Sequence, residues 1–357
     1  MKTFLKLLSL AVASAVTAEF LLGDQYLGGM GSVSQQVTQF ILFTAFYGSA
    51  AILIRELARR ARIGWPGILL LALAFGVFEE GIVTQSLFNP DYAGTHLLAY
   101  GFVPWLGTGI PWLIFVLTLH VVWSMGSPIA LMEGAYGERP WLRHAGWLAV
   151  PAALFVLGAG AILGFSVLIS GFWATAPELL VSLLIAVALV VVAFVALPRM
   201  RPRRGAAEIP DAVTGAPKHA LGYGWALLAG VVLGTAFQLL DQLPHEYSPW
   251  LASVALLVVL AIGVAFAFRL RPDAVGFGSG AILTYCWVGL VNAGRAGTAA
   301  VVEQVVIVLI ALAVVAVVGV RRARAGRGAG EIASGFAAGE SSVTPQVGQG
   351  SEVGGPR

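Results

Sequence analysis

Glu79 and Glu80 stand side by side in "AFGVFEEGIVTQSLFNP", residues 74–90, inside an otherwise apolar stretch long enough to cross a lipid bilayer. His120 interrupts a second such stretch, "FVLTLHVVWSMGSP". Ionisable side chains are costly at membrane depth and face a protein interior or a water-filled cavity, so these three are the first candidates for a site. Carboxylates and imidazoles are ligands for zinc and similar divalent ions, and a metal with an open position activates water for hydrolysis. Buried carboxyls and imidazoles can also load and release protons in a relay. A third reading is structural, with the groups hydrogen-bonding one another and nearby backbone to fix helix packing.

The elements that must position these residues follow from composition. Of 357 residues, 58% are hydrophobic and 11% charged, against about a quarter charged in ordinary soluble domains. Apolar runs recur at about 3–22, 38–57, 65–88, 109–132, 147–169, 177–197, 223–243, 250–268, 276–293 and 299–320, each long enough for a membrane-spanning helix. The sequence therefore predicts an all-α polytopic transmembrane bundle of ten spans. With Lys2 and Lys6 in the cytoplasm, "RELARRAR", "GERPWLR", the stretch from Arg199 to His219, "RLRP" and "RRARAGR" fall there too. Of the 21 Lys and Arg only Arg295 then lies outside, which predicts both termini inside. Residues 1–22 read as a first span in preference to a cleaved signal peptide, because "EFLLG" extends the apolar run past the small residues Val16 and Ala18.

Residues 23–197 hold spans two to six with the Glu-Glu and His120 positions. Residues 198–222 form a Pro- and Arg-containing cytoplasmic loop, residues 223–320 hold spans seven to ten, and residues 321–357 form a cytoplasmic tail expected to be disordered. The pairs Gly160/Gly164, Gly230/Gly234 and Gly276/Gly280 have the spacing that lets helices approach closely. Eighteen Arg to three Lys, with abundant Ala and Gly, suits a GC-rich bacterial genome, and the predicted location is a bacterial cytoplasmic membrane.

On the third span Gly76, Glu79, Glu80, Val83, Thr84 and Ser86 share one broad face at about 100° per residue, with Gln85 pointing away. A rise of about 1.5 Å per residue puts Glu80 about 22 Å from Trp65, in the outer half. The antiparallel fourth span brings His120 to within about one turn of that depth, with Ser124 and Ser127 along its stripe. Asp241, His245, Glu246, Asn292, Glu303 and His96 gather toward the same outer side, whereas the cytoplasmic halves of the spans read as apolar. The resulting candidate set is Glu79, Glu80 and His120 as catalytic groups, with Glu80, His120 and His245 as ligands for a divalent metal such as zinc. Thr84, Ser124, Asp241 and Asn292 complete a polar pocket.

"LLLALAFGVFEEGIVTQSLF" resembles the first motif of the CAAX-protease and bacteriocin-processing intramembrane metalloproteases, Glu-Glu-x-x-x-Arg on an apolar helix. "FVLTLHVVW" is similar to their second motif, Phe-x-x-x-His. The resemblance spans about 60 residues and implies a membrane-embedded hydrolase in which Glu79 and Glu80 activate water or bind metal and His120 binds metal or stabilises an oxyanion. Thr84 stands where that family has its Arg, Phe115 is one residue farther from His120 than its motif asks, and no later span carries the expected His-x-x-x-Asn.

Set beside the hydrolase are a proton-coupled transporter of a small solute and a membrane scaffold that engages a partner through its tail. Transport demands polar groups continuing to the cytoplasmic side. Membrane lipid is the one partner implied throughout. The basic residues cluster at span ends, which leaves no nucleic-acid patch, and the single cysteine, Cys286, offers neither a disulfide nor a thiolate metal site.

Overall fold

The computed structural model describes residues 2–23, 32–199 and 221–340. Among these, ten helices are long and apolar enough to cross a membrane. They are α1 Lys2–Phe20, α2 Ser34–Ala61, α3 Gly64–Val83, α4 Ile110–Tyr136, α5 Ala145–Ser170, α6 Ala176–Val195, α7 Tyr223–Asp241, α8 Pro249–Leu270, α9 Ala274–Ala296 and α10 Thr298–Glu340. The only strands among the described residues are β1 Phe102–Val103 and β2 Thr108–Gly109, an antiparallel pair with Phe102 opposite Gly109 and Val103 opposite Thr108, in the loop joining α3 to α4.

The helix starts follow from local chemistry. Ser32 and Gln35 form a reciprocal cap ahead of α2, and Thr175 and Glu178 do the same at α6, where Pro177 fills the first turn. Asp273 accepts the Gly276 N–H at 2.9 Å to open α9.

Three helices form the centre. About two thirds of the most apolar window is buried in α3, α4 and α9 (67%, 72% and 67%), against 17% in α5, α6 and α8, which present their outer faces to lipid. Helices do not gain from hydrophobic burial when the alternative is lipid, so close contact must hold them together. The tightest case is α7 on α9. A Cβ at Gly280 would fall against the Leu227 carbonyl and within 2.7 Å of the Val231 nitrogen, so only glycine permits that approach. Gly230, Gly234 and Gly276 meet neighbouring atoms in the same seam, as their spacing predicts. Gly160 and Gly164 do not, since no atom lies within 4 Å of a Cβ at either position.

α1 is built into the core. Leu10, Ala15, Phe20 and Leu21 are buried, and its last carbonyls are capped by side chains from distant helices. Gln304 Nε2 donates to Leu21 O at 2.8 Å and Asn292 Nδ2 to Leu22 O at 3.0 Å.

In "RELARRAR", Arg55, Glu56 and Arg59 belong to the last turns of α2 and are buried, with Glu133 of α4 beside them. Their burial is tolerated because opposite charges pair and the surplus donors and acceptors take loop backbone. α10 runs on as helix to Glu340. Its Ala, Arg and Glu residues extend a helix that the apolar span has already nucleated. Most of the expected loop (residues 200–220) and residues 341–357 lie outside the described residues.

Candidate functional site

α1, α2, α3 and α4 each depart from regular α-helix in one place, and each departure carries a site residue. π-helical turns occupy Val16–Phe20, Thr44–Gly48, Glu79–Val83 and His120–Gly126, and they hold Glu19, Tyr47, Glu79 with Glu80, and His120. In α1 the Leu21 N–H reaches Val16 O at 2.7 Å, and in α3 the Thr84 N–H reaches Glu79 O at 2.8 Å, the five-residue bonds that widen a turn. Such turns push side chains off the regular helical positions and are frequent at functional sites. Gly76 makes room for the fourth helix, because a Cβ there would sit 3.0 Å from His120 Cβ.

The side chains form one continuous buried chain. His120 Nε2 lies 2.6 Å from Glu80 Oε1, and its Nδ1 lies 3.0 Å from Glu79 Oε2 and 3.3 Å from Ser124 Oγ. Glu80 Oε2 accepts from Thr84 Oγ1 at 2.9 Å and from Ser86 Oγ. Glu79 Oε1 accepts from the Tyr47 hydroxyl, which also meets Glu19 Oε1 at 2.5 Å. Glu79, Glu80 and His120 are 1%, 6% and 5% exposed, so nearly all of their hydration is gone.

Proton counting then constrains the site. His120 has a carboxylate oxygen near each ring nitrogen, but its hydrogen bonds are to Glu80 Oε1 from Nε2 and to Ser124 Oγ at Nδ1, a pattern that one ring N–H already satisfies. A phenol has one proton, yet Tyr47 bridges two carboxyl oxygens, so one of Glu19 and Glu79 must hold a further proton for both contacts to be hydrogen bonds.

The candidate ligand atoms of Glu79, Glu80 and His120 lie within 4.8 Å of one another, the only such group among the described residues. Glu79 Oε2 is buried and, despite its nearness to the imidazole, is not aligned for a hydrogen bond. Two carboxylates and an imidazole with a spare oxygen are a donor set that suits a divalent ion such as zinc.

The remaining sequence candidates separate. Thr84 and Ser124 join the site, although α3 ends at Val83 and Ser86 returns to Glu80 from the following loop, where Gln85 adopts a left-handed φ of 58°. Gln85 points away, accepting the Ala174 N–H at 2.6 Å. His245 does not complete the ligand group: its ring stacks on Tyr100 at 4.4 Å, beyond the C-terminal end of α7. Asp241 lies with it in a pocket there, and Asn292 caps α1. These three sit at helix ends, where sequence depth alone reads them as neighbours of Glu80.

Sequence reasoning missed Tyr47 and Glu19, as well as the charged cluster at the opposite end. Arg55 Nε and Arg59 Nε donate to Glu133 Oε1 at 3.1 and 2.8 Å, and Arg55 also pairs with Glu56. Glu56 in turn accepts the Trp141 N–H at 2.7 Å, and the Arg55 guanidinium lies 3.7 Å from the Trp141 ring centre. Ser14 lies beside the site, donating to Ser124 O at 2.6 Å and approaching Tyr47 O at 3.3 Å. The halves of α2 and α4 that carry this cluster are therefore not apolar, as the sequence reading of spans two to ten had them.

Residues 8–302 match the model of an uncharacterized membrane protein family. No curated protein and no solved structure matches the chain.

Proposed function

We propose that this chain, which belongs to that uncharacterized membrane protein family, is a proton-coupled carrier of a small solute across a bacterial cytoplasmic membrane, with both termini in the cytoplasm. The observation that carries the reading is the run Glu19, Tyr47, Glu79, His120, Glu80 and Ser86, in which the Tyr47 hydroxyl meets two carboxyl groups with one proton of its own and His120 lies between Glu79 and Glu80. Glu80 and His120 are the loading pair. Protonating Glu80 frees its Oε1 from the imidazole, and the helices bearing the two residues can then shift apart; deprotonation draws them together. Ser14, Ser124 and the Arg55, Glu56, Arg59 and Glu133 cluster extend polar groups from this pair to the inner end, as passage to the cytoplasm requires.

In proteoliposomes bearing a proton gradient, Glu80→Gln and His120→Ala are expected to slow proton uptake on the order of a hundredfold while the protein remains folded. Wild-type rates in both variants would sink the carrier reading.

The metal-dependent hydrolase is the second reading, favoured by the ligand distances among Glu79, Glu80 and His120. A divalent ion there would supply an activated water. Glu79 and Glu80 would hold the ion by carboxylate oxygens and His120 by a ring nitrogen. Purified protein that takes up stoichiometric zinc, and loses it in Glu80→Ala, would place this reading first.

A further inference from the structure

A pocket of about 300 Å³ opens at the outer ends of α4, α7 and α8, beneath the loop between α3 and α4. Asp241, Gln242 and His245 line it from the end of α7, Tyr100 from the loop and Trp112 from α4. Asp241 is the only acid in the lining, which contains no Lys or Arg. Its carboxylate accepts from Gln242 Nε2 at a long 3.3 Å. A carboxylate in a partly exposed lining without Lys or Arg, with His245 as its one imidazole, is a natural contact for a cationic ligand.

The aromatic residues are fixed in place around it. Tyr100 stacks on His245 at 4.4 Å and donates its hydroxyl to Tyr247 O at 2.9 Å, while Trp112 Nε1 donates to Ser86 Oγ at 3.3 Å. Aromatic rings that share a pocket with a carboxylate can receive an ammonium group on their faces. At about 30 Å³ per water-sized group, the volume admits about ten heavy atoms.

We propose that this pocket binds a small organic cation, an amine of about ten heavy atoms, with its ammonium on Asp241 and its apolar part against Pro111, Leu240 and Leu256. The binding itself stands alone; that the amine is the transported solute rests on the carrier reading above. The physical link between the two is short, because Trp112 in the pocket wall donates to Ser86, and Ser86 donates to Glu80.

Calorimetric titration of the full-length protein in nanodiscs with benzylammonium and with its neutral isostere benzyl alcohol tests the site, with no gradient imposed. The amine is expected to bind at least about tenfold more tightly than the alcohol, and Asp241→Asn to abolish that difference. Thr95→Trp, at an exposed position on the rim, should weaken both ligands by narrowing the mouth. Equal affinity of the wild type for the two ligands, or undiminished amine binding in a folded Asp241→Asn protein, overturns the proposal. If Asp241→Asn does not fold, the wild-type preference and Thr95→Trp decide it. Amine binding retained in Glu80→Gln supports the site even where proton uptake proves independent of Glu80. Glu80-dependent proton uptake with no amine binding would remove this site and leave the carrier.

Discussion

The Tyr47 hydroxyl has one proton and two carboxyl neighbours, which makes it the residue on which the proton count turns. Tyr47→Phe keeps the ring, and with it the packing against Phe43, Phe46 and Phe75, while stripping Glu79 Oε1 of its donor. A buried acceptor left unpaired costs about 1–3 kcal/mol, so thermal unfolding in micelles is expected at a lower temperature. A variant as stable as the wild type would mean that the hydroxyl does not bridge Glu19 and Glu79. Glu133 presents the same logic with full charges. Glu133→Gln leaves the Arg55 and Arg59 guanidinium groups buried with one carboxylate fewer, a loss of about 3–5 kcal/mol, and most of the folded protein should disappear from detergent extracts. Glu79, Glu80 and His120 were legible in the sequence because a charged or titratable group inside an apolar run is costly and stands out against its neighbours. Tyr47 was not, because tyrosine is ordinary in such runs, and Glu19 was read only as part of the end of one.

At the scale of elements, four π-helical turns converge where regular helices would have pointed the same residues elsewhere. A reading at about 100° per residue assumes α-helix throughout and is blind to them, since a five-residue bond is chosen by tertiary contacts and not by local propensity. It placed Glu79 and Glu80 on one stripe correctly, yet extended α3 beyond the turn that returns Ser86 to Glu80. Glycine spacing was informative only where another helix answered it. Gly280→Ala drives a Cβ into backbone atoms of α7 that cannot step aside, and should destabilise the protein by at least about 1–3 kcal/mol. Gly160→Ala meets open space and should be neutral or stabilising by about 0.5–1 kcal/mol through helix propensity alone. Comparison of the two melting temperatures separates a packed glycine from an idle one; equal shifts would mean that the α7 and α9 seam is loose.

Across the whole molecule, hydropathy was enough for ten spans because lipid forces every backbone group into helix, whereas the charged cluster at the end of α2 was missed because Arg runs beside a span usually mark its flank. The two ends nonetheless differ in kind. Arg55, Glu56, Arg59 and Glu133 tie α2, α4 and the loop after Tyr136 into a paired, buried lattice, whereas the other end holds a pocket whose lining has one acid and no Lys or Arg. The excess of Lys and Arg near the first of these is the ground for the proposed orientation with that end in the cytoplasm, and in the proposed carrier the direction of proton entry depends on it. It can be checked without any activity. In a Cys286→Ser background, which removes the only native thiol, His96→Cys should react with a membrane-impermeant maleimide in intact cells, and His144→Cys only after permeabilisation. Both positions are solvent-exposed and lie in loops at opposite ends of α4, so neither change disturbs a packed helix. The reverse labelling pattern would invert the bundle and turn the proposed amine pocket toward the cytoplasm.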